Sequence, residues 1–183
     1  MKDLNTILKK INLFSNAYRE LDEIQRKSKF LPVGDQKTGI IGELYVLVYL
    51  KHLHNGYADV YLSHNPSNKV WDICVKYLKN STMEKIQVKT VSEFSESRST
   101  SPVHSGWDYI YFVLLDKEFV PSALWIGEKN EPGFQSSLPK RFTLPNLKDT
   151  KKVGSEVFKN RENEYLKLIH SMDTSTYISN IIL

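Results

Sequence analysis

Asp72, Gln87 and Lys89 lie on two alternating segments, Val70–Leu78 (VWDICVKYL) and Lys85–Val91 (KIQVKTV). A polar turn around Lys79–Thr82 (KNST) separates them, so the pattern predicts an antiparallel hairpin. A turn symmetric about Asn80 and Ser81 sets Asp72 opposite Lys89 and Cys74 opposite Gln87. Directly opposed side chains share a face, as do residues two apart on one strand. The three polar groups then form a triangle on one face, which a slip of one residue would abolish. Ile86, Val88 and Thr90, with Trp71, Ile73, Val75 and Tyr77, make up the opposite, core face. Glu43 is the fourth group: it stands at i+3 from Ile40 and i−4 from Leu47, on the apolar stripe of a helix. A carboxylate there must reach the helix edge or find a partner such as a cation or metal. A solvated sheet face, with an ion pair worth less than about 1 kcal/mol, is the alternative for the hairpin triangle.

The elements that must position these groups are legible from periodicity. Leu4, Ile7, Leu8, Ile11, Phe14, Tyr18, Leu21 and Ile24 predict an amphipathic helix over 4–29, with Asp3 or Asn5 as N-cap. Pro32 and Gly34 end it. A second, largely buried helix runs from about Asp35 to Leu53, with an apolar face of Ile40, Ile41, Leu44, Leu47, Val48 and Leu50. Gly39 and Gly42 cost helix propensity, so a close approach by another backbone is their expected reason. Strands are expected at Asp59–Leu62, in the two hairpin arms, at Trp107–Leu115 (WDYIYFVLL) and at Ala123–Ile126. The continuous apolar run in Trp107–Leu115 suits a central strand covered on both faces, with Tyr109, Tyr111 and Phe112 as core. Ser92–Ser105 reads as a loop, 127–155 as irregular, and 156–183 returns to helical spacing. The expected fold is α/β: one domain over 1–183, with a mixed sheet of about four to five strands flanked by helices.

The chain has 183 residues, 40% hydrophobic, 25% charged and 11% aromatic, which excludes a disordered or fibrous protein. No apolar run approaches the roughly 20 residues of a membrane span. The N-terminal MKDLNTILKK lacks the apolar core of a secretion signal. The single cysteine, Cys74, has no internal disulfide partner and suits a reducing, cytoplasmic setting. The net charge of +4 is compatible with nucleic acid. His52, His54, His64 and His170 show no metal-ligand spacing.

An acid in an early helix, an Asp on a strand and Gln-x-Lys on the next strand form one ordered pattern. With GIIGELYVLVYL, VWDICVKYL and KIQVKTV, the chain resembles the PD-(D/E)xK nuclease superfamily over roughly residues 36–115. The resemblance implies a restriction-endonuclease-like three-layer domain with elements in the order α-β-β-β-α-β. Ser92–Ser105 carries little signal for the second of those helices. It further implies Mg²⁺-dependent (or Mn²⁺-dependent) hydrolysis of DNA phosphodiester bonds, of restriction, repair or homing type. Asp72, Gln87 and the Val88 carbonyl would bind the metal, Glu43 would complete the site, and Lys89 would orient water or offset phosphate charge.

This sequence departs from the pattern twice: Trp71 stands where the family has proline, and Gln87 where it has a second acid. An amide oxygen ligates Mg²⁺ but adds no negative charge, so Glu43 must supply it. An inactive nuclease fold that binds nucleic acid or a protein is therefore the second reading. An unrelated α/β domain is the third.

Residues 140–161 carry Lys140, Arg141, Lys148, Lys151, Lys152, Lys159 and Arg161 against Asp149 and Glu156. Such residues contact phosphates without reading sequence, and double-stranded DNA is the expected partner. Arg98 and His104, in the loop after the Gln-x-Lys strand, are further candidates; a solvated surface and a plain connector are the alternatives. One such site cuts one strand, so a double-strand cutter would pair two copies as a homodimer.

Overall fold

A computed structural model describes residues 2–27, 36–63, 70–95, 97–134, 138–145, 156–158 and 161–171. In chain order these form α1 (Lys2–Lys27), α2 (Gln36–Leu53), β1 (Ala58–Leu62), β2 (Ile73–Tyr77), β3 (Met83–Ser92), β4 (Tyr109–Leu115), β5 (Pro121–Glu128), 3-10 turns at Pro132–Phe134 and Glu156–Phe158, and α3 (Asn163–Ser171). The sheet order is β1-β2-β3-β4-β5. All neighbours are antiparallel except β3 and β4, which run parallel. The expected mixed α/β sheet is thus present with five strands. No described helix is long and apolar enough to cross a membrane.

The sheet separates two apolar layers. On one face Ile73, Val75, Ile86, Val88, Tyr111 and Val113 pack against Ile41, Tyr45, Val48 and Leu50 of α2, Ile11 of α1 and Tyr165 of α3. On the other, Ile110, Phe112, Leu114 and Trp125 meet Val103, Phe134, Phe142 and Phe158, which come from loops and 3-10 turns. β4 contributes alternately to both layers, which is why its sequence is a continuous apolar run. Tyr111 and Phe112 are core as expected, while Tyr109 is half-buried.

Several expectations are corrected. The helix begins at Lys2, ahead of both expected caps. In α1 the buried stripe follows Leu8, Ile11, Ser15 and Tyr18, because a four-residue step from Ile11 reaches Ser15; Phe14 is turned outward. In α2 Ile40 is exposed, since Thr38 and Ile41 face inward. Gly42 meets Thr90 of β3, but a Cβ on Gly39 would meet open space. The crossover from β3 to β4 contains no helix among the described residues. The helical spacing expected over 156–183 resolves into the 3-10 turn and α3, and 172–183 lie outside the described residues.

The hairpin register also differs. Ile73 pairs with Ile86 and Cys74 with Lys85, so Cys74 does not face Gln87 and Asp72 does not face Lys89. The shift is two residues, an even number, and every side chain keeps its expected face. Its cause is the turn. Tyr77 N–H donates to Thr82 C=O (2.9 Å), which leaves four residues, Leu78–Ser81, in the loop. Asn80 Oδ1 accepts from both Thr82 N–H (3.2 Å) and Thr82 Oγ1 (2.8 Å). Ser81 takes φ 55°, a left-handed conformation that costs a side-chain-bearing residue about 1–2 kcal/mol. Ser81→Gly should therefore stabilise the protein by about 0.5–1 kcal/mol, read as a higher urea midpoint at unchanged m-value.

Candidate active site

β3 outruns its partner. β2 begins at Ile73, opposite Ile86, so, among the described residues, 87–92 of β3 pair with no strand but β4. Asp72, the residue before β2, closes the start of this open edge. Its N–H donates to Ile86 C=O (2.8 Å), and its carboxylate accepts the Val88 N–H (2.7 Å). Within a strand a residue's N–H and C=O point the same way, so the Val88 carbonyl also faces the open edge.

Gln87 and Lys89 alternate onto the face that Asp72 shares. Gln87 is buried, and its Oε1 accepts no hydrogen bond. Lys89 Nζ donates to Ser101 Oγ (3.2 Å). Glu43 arrives from α2, where Gly42 allows the helix to settle directly on Thr90.

The three charges sense one another. Burial pushes the Glu43 carboxyl up to about 7, Asp72 adds to the rise, and Lys89 opposes it. Burial raises the Asp72 carboxyl as well, opposed by the Val88 N–H and by Lys89. Burial lowers the Lys89 ammonium, opposed by Asp72 and Glu43. One lysine thus leaves both carboxyls above their ordinary range.

Glu43 has a direct consequence for the metal-free protein. Its folded-state value is raised, so its contribution to stability is fully present below about 4.5 and is lost as pH rises through about 7. Glu43→Gln should match the wild type at about pH 3.5 and melt at a higher temperature at pH 8 in EDTA. A variant that melts lower at pH 8 would contradict this burial.

The donor set suits a hard divalent cation. Glu43 and Asp72 supply carboxylates, Gln87 an amide oxygen and Val88 a carbonyl, all oxygen ligands of the kind Mg²⁺ takes. The buried Gln87 oxygen that accepts no hydrogen bond is the observation that favours the fit. The described residues contain no group of three or more His, Cys, Asp or Glu able to hold a metal, so the amide and backbone oxygens are needed.

The basic candidates fall into two sets. Arg98 and His104 lie in the β3–β4 crossover, which pairs with the segment of Lys140 and Arg141 through isolated bridges Ser99↔Thr143 and Val103↔Lys140. Lys148, Lys151, Lys152 and Lys159 lie outside the described residues. Arg161 is exposed and bonds Ser122 C=O. Of the histidines, His54 packs edge-on against Tyr77, His170 Nε2 lies 3.2 Å from Pro121 C=O, and His64 is outside the described residues. The sequence reading missed Ser101: it is one serine among several in a polar loop, and only the pairing of that loop brings it to Lys89.

No family model matches the sequence, and no curated protein is detectably similar. Among solved structures, the chain is similar to a bacterial homing endonuclease, I-Ssp6803I. The TM-score is 0.48 at 16% identity, over 78% of this chain and 98% of that chain.

Proposed function

We propose that the chain is a metal-dependent endonuclease that hydrolyses phosphodiester bonds of double-stranded DNA. The observation that carries this reading is the Asp72 carboxylate held by the Val88 N–H beside buried Gln87 on β3, with Glu43 and Lys89 near enough to shift its charge. The resemblance of the same residues to the PD-(D/E)xK pattern, in its variant with Gln for the second acid, supports it.

Asp72, Gln87 and the Val88 carbonyl would hold Mg²⁺ or Mn²⁺, with Glu43 completing the site directly or through a water. The bound ion supplies Lewis-acid polarisation of the phosphodiester and a more acidic water. The Val88 N–H fixes one Asp72 oxygen, so the carboxylate is already oriented. Lys89 offers its ammonium to the attacking water or to the charge growing on the phosphate. Water adds to phosphorus, the P–O ester bond breaks, and the products are a phosphate monoester and a hydroxyl.

A nicking assay on supercoiled plasmid tests the reading. Relaxed plasmid with Mg²⁺ or Mn²⁺, and none in EDTA, is expected. No nicking in either metal would refute it; a DNA mobility shift that persists in EDTA would then indicate a non-catalytic binding module.

A further inference from the structure

The crossover that touches Lys89 is half of a hydrogen-bonded ribbon. Thr100 N–H donates to Phe142 C=O (2.8 Å), and Phe142 N–H donates to Thr100 Oγ1 (3.1 Å). Val103 and Lys140 exchange both backbone bonds, at 2.8 and 3.2 Å. Buried Thr100, Val103, Phe142 and Leu144 tie the ribbon to the layer beneath the sheet. Such a platform loses little freedom on binding a ligand.

The ribbon is bulged at an informative place. Thr100 pairs with Phe142 and Val103 with Lys140, so Ser101 and Pro102 together face the single residue Arg141. A bulge re-aims side chains, and bulges concentrate beside active sites. Here Ser101 turns its hydroxyl to Lys89, while Arg141 donates to Thr100 C=O (3.2 Å). The two cations therefore meet adjacent residues of one strand. Arg141 and Lys140 are exposed, and the Lys140 ammonium rests 5.3 Å from the Phe142 ring centroid.

We propose that this bulged ribbon, Ser99–Val103 with Lys140–Thr143, seats the phosphate chain next to the scissile bond. Lys140 and Arg141 bind backbone phosphates, and Ser101 is a positioning residue for Lys89. The partner is the sugar–phosphate backbone of a DNA duplex, recognised by charge. A guanidinium suits it, because among the described residues the Arg141 N–H groups other than the one on Thr100 C=O stay available for a bidentate phosphate contact. The inference rests on the nuclease reading for the role of Lys89, and its test separates the two.

The test measures binding of a fluorescein-labelled random-sequence duplex in EDTA across a salt series, and single-turnover cleavage with Mg²⁺. Arg141→Gln and Lys140→Gln should each flatten the plot of log affinity against log salt by about 0.9. Arg141→Lys should keep the wild-type slope, as should Lys167→Gln on the remote α3. Ser101→Ala should bind as the wild type yet cut about tenfold more slowly, and Ser101→Thr should restore the rate.

Because Arg141 also holds the ribbon, Lys140→Gln, which takes no part in that bond, keeps the result interpretable should Arg141→Gln melt early. Wild-type slopes in both glutamine variants would overturn the surface and leave the nuclease reading intact. The expected slopes in a wild type that never cuts would overturn the nuclease reading and leave the surface. Equal cleavage by Ser101→Ala and the wild type would overturn the role of Ser101.

Discussion

Lys89→Ala should fold normally, bind DNA and cut it at least 10²–10³-fold more slowly, the usual cost of removing one preorganised electrostatic group at a developing charge. Among the described residues, Lys89 is the cation that sets the electrostatics of Glu43 and Asp72. It sits on β3 beside the open edge, and Ser101 holds its Nζ at 3.2 Å. Its removal deletes the charge that answers the phosphate and leaves two desolvated carboxyls uncompensated. Melting curves should therefore be compared at pH 5, where Glu43, with its value near 7, is protonated in the folded protein. Asp72→Asn is the companion variant. It keeps an oxygen for the Val88 N–H but removes the charge, so the hairpin should survive while cleavage fails at any accessible Mg²⁺ concentration. Near wild-type turnover in either variant would remove these residues from the chemistry.

Gly42→Ala should damage both stability and activity, although it replaces none of Glu43, Asp72, Gln87 and Lys89. An added Cβ would lie 1.9 Å from Thr90 Oγ1, 2.7 Å from its Cγ2 and 2.8 Å from its Cβ. Rotating the Thr90 side chain exchanges the first two atoms but cannot move the third. The helix must lift from β3, and overpacking of this kind costs about 1–3 kcal/mol. Alanine's better helix propensity offsets only about 1 kcal/mol of that. Glu43 is the next residue, so the same displacement carries its carboxyl away from Asp72. A misplacement of about 1 Å can cost on the order of 10²-fold in rate. The pair Gly42→Ala with Thr90→Ala should recover part of both losses, with a coupling of about 0.5–3 kcal/mol in the double-mutant cycle. Additive losses would show that the helix is not seated through this contact.

The fold was legible where apolar periodicity is strong. α2, β4 and the two hairpin arms follow from their spacing, and β4 shows why a continuous apolar run means a strand between two layers. The hairpin register was legible only in its parity. KNST permits more than one turn, and the Asn80–Thr82 bonds with Ser81 in a left-handed conformation choose the four-residue loop. Because the resulting shift is even, Asp72, Gln87 and Lys89 stay on one face. Glu43 was legible as a misplaced acid on an apolar stripe, but the spacing could not say which strand end it meets. The ribbon was invisible: Thr100 and Phe142 are far apart in sequence, and neither polar segment alternates. Long-range pairing of irregular segments leaves no local signal, so Ser101 was lost with it.

We propose that Glu43, Asp72, Gln87 and the Val88 carbonyl surround one divalent cation, and anomalous diffraction from Mn²⁺-soaked crystals would locate it. A single peak at coordination distance from the Asp72 and Gln87 side-chain oxygens, lost in Asp72→Asn, is the expected result. A wild-type map with no peak there at saturating Mn²⁺, or a peak unchanged in Asp72→Asn, would contradict it.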